Sequence, residues 1–297
     1  MPAVEPLAAR PLSDAVCQLG EGPTYDPAAD ALFWFDIVEK KLFEHRFPTG
    51  ETVVHALPFM ASSLALLDDD RHVILAEDGL YLRQKRDGEL SLVAPLEADN
   101  AVTRSNDARV HPSGAFWMGT MGKNAEKGAG TIYWFHRGEI RTLYSRITIP
   151  NAICFSPDGA LAYFTDTKAH ILHRVEVDPA NGLPVGVPTI FNDYRGEAGG
   201  QDGAVCDADG LVWNACYGTG RLDVYAPSGE RVRSYGLPAS QLTCPAFIGA
   251  KANGLAVTSA WEGMSRERRA DERAAGQTFL LDLAVSGRLE PRIALGS

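Results

Sequence analysis

"SPDGALAYFTDT", residues 156–167, sets a Ser-Pro-Asp-Gly turn before a short run of apolar and small residues that ends on an acid. Such a cluster marks a turn, and the run behind it reads as a strand. The phrase returns along the chain. "HPSGAFWMGT" fills 111–120, "DADGLVWNAC" fills 207–216 and "YDPAADALFWFD" fills 25–36. Weaker copies are "DDDRHVILAED" from Asp68 and "IGAKANGLAVTSA" from Ile248. With Asp36, Glu77, Gly119, Asp166, Ala215 and Ser259 as equivalent marks, six units of about 40 to 50 residues nearly fill the chain. Behind the marks, "HILHRVEVD" and "RLDVYAPSGERVRSYGLP" continue as strand and turn. Four strands per unit at this period predict an all-β, six-bladed β-propeller, a single domain over residues 1–297. A pair of β-sandwiches is the alternative, but sandwich strands need not recur with one turn motif at one spacing.

Composition narrows the partners. The 297 residues carry a net charge of −10, which repels phosphate backbones, so nucleic acid is not an expected partner. No run of 18 apolar residues predicts a membrane span. The opening "MPAVEPLAARPLSDAV" lacks a basic segment followed by an apolar one, so no secretory signal is expected. Cys17, Cys154, Cys206, Cys216 and Cys244 are odd in number and lack C-x-x-C spacing. They predict buried, reduced thiols and a cytoplasmic protein.

The repeat also points to a site. Five residues before the turns at Asp26, His111, Ser156, Asp207 and Asp68 stand Glu21, Asn106, Asn151, Asp202 and Ser63. In a propeller the first strand of each blade lines the central channel. Equivalent residues there are expected to form a ring at one end. An Asn or Asp beside a turn ordinarily supports backbone. Two carboxylates brought together, however, repel unless a proton or cation sits between them. Oxygen donors without imidazole or thiolate suit a hard or borderline divalent ion. Glu21, Asn151 and Asp202 are therefore predicted metal ligands, with Asn106 close by.

Other signals are weaker. There is no H-E-x-x-H, no G-x-S-x-G elbow and no phosphate loop. "YGTGRL" reads as a hairpin turn or a channel-facing loop. "SRERRADER", Ser265 to Arg273, mixes both charges and reads as a solvated helix or loop, with a rim over the channel mouth as the alternative. Trp34, Trp117 and Trp213 recur at one repeat position, as packing residues between blades would. Arg104, two residues before Asn106, should face the same side of an extended strand and offer a fork for hydroxyls, a carbonyl or a carboxylate.

At these residues the chain resembles the gluconolactonase, regucalcin (senescence marker protein) and luciferin-regenerating enzyme family. The segments that carry the resemblance are "LGEGPTYD", "FWFDIVEKKLF", "RSNDARVHPSGAFWMGTM", "IPNAICFSPDG", "YFTDT", "QDGAVCDADGLVWNACYGTGRL" and "LPASQLTCPAFIG". They run in order from about residue 17 to 285. The resemblance implies a six-bladed propeller that hydrolyses sugar lactones with one divalent ion. Carried over by motif, the ligands fall on Glu21, Asn151 and Asp202, and the substrate contacts on Arg104 and Asn106. An acidic residue that some members use after G-T-M meets a different loop here, "GKNAEKGAG". Asn124 stands near the aligned place and Glu126 two residues on, and both are candidate substrate contacts. Lys123 in the same loop would favour an anionic substrate.

On this basis the expected reaction is attack of water on the carbonyl of an aldono- or aldarolactone. The expected ion is Ca, Zn, Mn, Mg or Fe. Asp202 is the expected general base, and Arg104 and Asn106 would stabilise the developing oxyanion. Asp107, next in the strand to Asn106, should point away. Two other readings are weighed: a non-catalytic propeller that binds proteins, and a related metal-dependent esterase or phosphotriesterase. The first has no reason to gather two carboxylates; the second should be richer in aromatics at the ring positions.

Overall fold

The computed structural model describes residues 2–296. Two short strands come first, β1 (Val4–Pro6) and β2 (Ala9–Pro11). Blade 1 is β3 (Gly20–Asp26), β4 (Ala31–Asp36), β5 (Lys41–Arg46) and β6 (Glu51–Ala56). Blade 2 is β7 (Ala61–Leu66), β8 (Arg71–Ala76), β9 (Gly79–Gln84) and β10 (Leu90–Pro95). Blade 3 is β11 (Thr103–Val110), β12 (Phe116–Gly122), β13 (Gly130–His136) and β14 (Glu139–Ile147). Blade 4 is β15 (Pro150–Phe155), β16 (Leu161–Asp166), β17 (Ile171–Glu176) and β18 (Thr189–Asp193). Blade 5 is β19 (Gly200–Cys206), β20 (Val212–Tyr217), β21 (Arg221–Tyr225) and β22 (Arg231–Gly236). Blade 6 is β23 (Leu242–Ile248), β24 (Gly254–Ser259) and β25 (Phe279–Leu281), completed by β2. Within each blade the four strands pair antiparallel, and the protein is a six-bladed β-propeller.

The turn motif works as its residues suggest. Asp158 Oδ1 accepts from Ser156 Oγ at 2.6 Å and from Ala160 N at 3.0 Å, while Leu161 N donates to Ser156 Oγ at 2.9 Å. In blade 5, Asp207 accepts from Asp209 N, Leu211 N and the Trp213 indole. These bonds close the turn among residues that are near in sequence.

The fourth strand of blade 6 is not contiguous with the other three. β2 pairs with β25 antiparallel, Ala9 opposite Leu281, and β1 adds to β22 of blade 5 in parallel. In every blade the first strand is buried along almost its whole length, whereas the outer strands β6, β10 and β14 are exposed or half-buried along nearly all of theirs.

The chain forms two compact units. One comprises the residues up to Ala56 with Gly196–Leu289, and so blades 1, 5 and 6; the other comprises Leu57–Arg195 with the residues from Glu290, and so blades 2, 3 and 4. In the first unit β23 packs between β19 and β3; in the second β11 packs between β7 and β15. Apolar side chains fill the wedges between neighbouring blades, including Val205, Trp213, Phe247 and Phe279 in the first and Trp117, Ile153, Phe155 and Phe164 in the second. The second unit also holds the C-terminal segment: Glu290 meets Arg109 at 2.8 Å and Arg292 bridges to Leu66.

Trp34, Trp117 and Trp213 are all buried packing residues. Trp34 nevertheless stands opposite the irregular step of its first strand, where Gly119 and Ala215 stand in blades 3 and 5, so it is two residues out of phase with the other two. The charged stretch is a helix, α1 (Arg266–Asp271), capped by Ser265 and exposed throughout. All five cysteines are buried and none forms a disulfide. Among the described residues no helix is long and apolar enough to cross a membrane.

Because β2 completes blade 6, a chain lacking residues 1–11 leaves β25 as an unprotected edge. It should melt several degrees below the full chain in differential scanning fluorimetry. Equal melting temperatures would show that β2 contributes nothing to stability.

Candidate functional site

In each blade the pairing of the first strand slips once. The slips fall between Glu21 and Thr24, Ala61 and Ser63, Ser105 and Ala108, Asn151 and Cys154, Gln201 and Ala204, and Leu242 and Pro245. A β-bulge takes residues out of the ladder and re-aims their side chains. Glu21 and Asn151 are the last paired residues before their bulges. Asn106 and Asp202 are one step further on, inside theirs, and Ser63 lies past its own. Counting from the turn slips because the strand between bulge and turn has three residues in blades 3 and 5 and two in blade 4.

The first unit holds the two carboxylates. Glu21 is 9% exposed and its Oε2 accepts from Gly22 N at 2.9 Å. Gly22 turns back at φ 55°, a left-handed conformation that glycine enters freely. Asp36, at the end of β4, accepts from Gln18 N at 2.7 Å and Leu19 N at 3.2 Å, fixing the segment that leads into Glu21. Asp202 is 7% exposed. Its bulge is clamped by Asn214 of β20, whose Nδ2 donates to Asp202 O at 2.7 Å and Gly203 O at 3.1 Å. The residues at the register of Asn214 in the other blades are Phe33, Leu75, Met118, Tyr163 and Val257, all apolar or aromatic. A polar side chain at that step was the one sequence signal for this clamp. Gly203 lets blade 6 approach: a Cβ there would lie 2.4 Å from Cys244 Sγ.

The second unit holds a polar relay. Arg104 Nη1 donates to Asn106 Oδ1 at 2.9 Å, Asn106 Nδ2 donates to Asn151 Oδ1 at 3.0 Å, and Asn151 Nδ2 donates to Thr167 Oγ1 at 2.9 Å. All three are at least nine-tenths buried. Arg104 and Asn106 therefore do share a face. Asn151 thus accepts at Oδ1 from Asn106 and donates from Nδ2 to Thr167. Asp166 repeats the role of Asp36, accepting from Thr148 N at 2.8 Å and Ile149 N at 3.0 Å ahead of Asn151. Ala152, next in the chain, holds φ 55°, a costly conformation for a residue with a Cβ.

In the loop after β12 Lys123, Asn124 and Glu126 have protein partners. Lys123 is tied to Glu77 at 2.6 Å, so its charge is already matched. Asn124 and Glu126 engage each other, with Asn124 N and Nδ2 donating to the carboxylate at 3.1 Å and 3.0 Å. Those bonds hold Glu126 below the ordinary carboxylate range. Asp107, expected to point away from Asn106, lies with it inside the bulge, and its Oδ2 accepts from Ile153 N of β15 at 2.7 Å.

Glu21, Asn151 and Asp202 are each buried at the bulge of their own blade, and each carries an oxygen of the kind a divalent cation takes. Among the described residues no group of three or more His, Cys, Asp or Glu side chains is placed to hold a metal ion.

Residues 19–261 match the family described as the SMP-30/Gluconolactonase/LRE-like region. A Rhizobium meliloti (strain 1021) protein whose name proposes a sugar lactone lactonase is 50% identical over 290 residues, 98% of each chain. The 6-deoxy-6-sulfogluconolactonase of Pseudomonas putida is 30% identical over 93% of this chain and 95% of its own. Regucalcin from Agrobacterium tumefaciens str. C58, a calcium-binding protein of known structure, is 48% identical and superposes with a TM-score of 0.97 over 98% of this chain and 99% of that one.

Burial pushes the Asp107 carboxyl up to about 6, against the pull of Arg109. Its folded pKa lies above its unfolded value, so the folded state holds the proton more tightly, and stability falls as pH rises from about 4 towards that value. Asp107→Asn keeps an acceptor for Ile153 N and removes the titration. Melting temperatures between pH 4 and 7 should then fall less steeply than in the wild type; an unchanged slope would contradict this account.

Proposed function

The chain belongs to the SMP-30/gluconolactonase/LRE-like family, and on that premise we propose that it is a metal-dependent sugar lactonase opening an aldono- or aldarolactone to the free acid. Lactone hydrolysis is the reaction that several of its relatives are named for. The observation that carries the finer reading is the oxygen-only donor set at the bulges. We assign Glu21, Asn151 and Asp202 as ligands of one divalent ion. Calcium is the first candidate, since the Agrobacterium relative is described as calcium-binding. When bound, such an ion supplies Lewis acidity towards the lactone carbonyl.

The chain's own residues do the rest. Hydrolysis adds the water oxygen to the carbonyl carbon, breaks the ring carbon–oxygen bond and leaves that oxygen as a hydroxyl. Asp202 takes the proton from the attacking water and returns it to the departing ring oxygen. The Asn214 clamp holds its backbone for that task. Arg104 and Asn106, already joined, hold ring hydroxyls and stabilise the charge that builds on the carbonyl oxygen. The Asn124–Glu126 pair is assigned to the outer part of the sugar.

Elemental analysis after extensive dialysis should find one ion per chain. Asp202→Ala and Glu21→Ala should each lose that ion and at least about 100-fold in turnover on aldonolactones in a pH-stat assay. Either variant keeping both ion and turnover refutes the assignment. Arg104→Ala should keep the ion and raise KM; loss of the ion would make Arg104 a structural residue.

A further inference from the structure

Between the strands that carry Glu21 and Asp202, the first unit builds a polar bridge. Trp261 N and Glu262 N donate to Gln18 O at 3.0 Å and 2.9 Å, three residues ahead of Glu21. Glu262 O accepts from Gln241 Nε2 at 2.9 Å, and the same Nε2 contacts Tyr217 Oη. Tyr217 pairs with Gln241 on one side and with Gly200, two residues before Asp202, on the other. The bridge thus crosses the end of blade 6 from one carboxylate strand to the other, with a half-buried phenol on it.

The hydrogen bonds leave this phenol one thing to give. Gln241 Nε2 has its hydrogens engaged by Tyr217 Oη and Glu262 O, so Oη is an acceptor towards Gln241. Among the described residues its own proton has only Glu262 O, at 3.5 Å, the limit of a hydrogen bond. A phenol keeps its proton through the neutral range, so it can donate. Gln241 is 4% exposed and its Oε1 is buried without a protein hydrogen-bond partner, an unusual state for a residue that only braces a loop.

We propose that Tyr217 Oη donates a hydrogen bond to a ring hydroxyl of the bound lactone, and that Gln241, by holding the phenol, sets a preference for hydroxylated over plain lactones. This rests on the lactonase reading above. Tyr217 touches substrate; Gln241 acts through it as a positioning residue.

The test compares D-glucono-δ-lactone with δ-valerolactone, the same ring without hydroxyls, the latter as substrate or competitive inhibitor. Tyr217→Phe should raise KM for the hydroxylated lactone about 5- to 10-fold, the loss of one hydrogen bond, with kcat changed less. It should leave the constant for δ-valerolactone within about twofold, since that ring offers Tyr217 no hydroxyl. Calcium affinity by isothermal titration should be unchanged. Gln241→Leu should reproduce the selectivity loss, and it serves as the test if Tyr217→Phe does not fold. Equal losses on both lactones, no loss on either, or a weakened calcium affinity overturn the proposal. A wild type that opens no member of a panel of aldono- and aldarolactones overturns the lactonase reading and this proposal together, and a member it does open replaces D-glucono-δ-lactone if that one is inert; wild-type turnover with unchanged selectivity in both variants overturns this proposal alone.

Discussion

The β-bulge in the first strand of each blade is the constraint on which the site depends. A regular ladder would occupy every main-chain group in pairing and send successive side chains to opposite faces. A bulge breaks that alternation and leaves main-chain groups that need other partners. The protein supplies them with side chains: Asn214 for the carbonyls of Asp202 and Gly203, and Thr258 Oγ1 for Cys244 N and O in blade 6. Functional side chains and their backbone support come from the same irregularity.

The segments that enter the bulges are held by a second device. Asp36 and Asp166 end the second strands of blades 1 and 4, and each accepts from two backbone amides just before the first strand of its own blade. A buried carboxylate with several N–H donors is fixed in place. Glu77 does the same for Met60 N in blade 2 and also pairs with Lys123. A side chain at the end of one strand thus places the start of its neighbour, and the ligand candidates inherit that placement.

Charge and polarity divide unequally between the two units. The first holds Glu21 and Asp202, with a protonated phenol beside them. The second holds a guanidinium and two carboxamides in one donor–acceptor chain. That chain removes the ambiguity of the amides: Arg104 can only donate, so Asn106 must turn its oxygen to it and its nitrogen to Asn151.

Much of this was legible in the sequence. The turn motif is local chemistry: Ser, Pro, Asp and Gly close their own loops, so their spacing counts the blades and marks where each first strand lies. The polar residues near those strands were found the same way, and Arg104 with Asn106 followed from the two-residue period of a strand. The exact step of each residue depended on cross-strand register, which local spacing does not encode, so Asn106 and Asp202 came out one step from Glu21 and Asn151. The pairing of Lys123 with Glu77, the donation of β2 to blade 6, the Asn214 clamp and the Gln241–Tyr217 bridge join residues far apart in the chain. Turn chemistry is fixed by neighbours in sequence and so can be read from it; these partners are chosen by packing between strands, which only the folded chain decides.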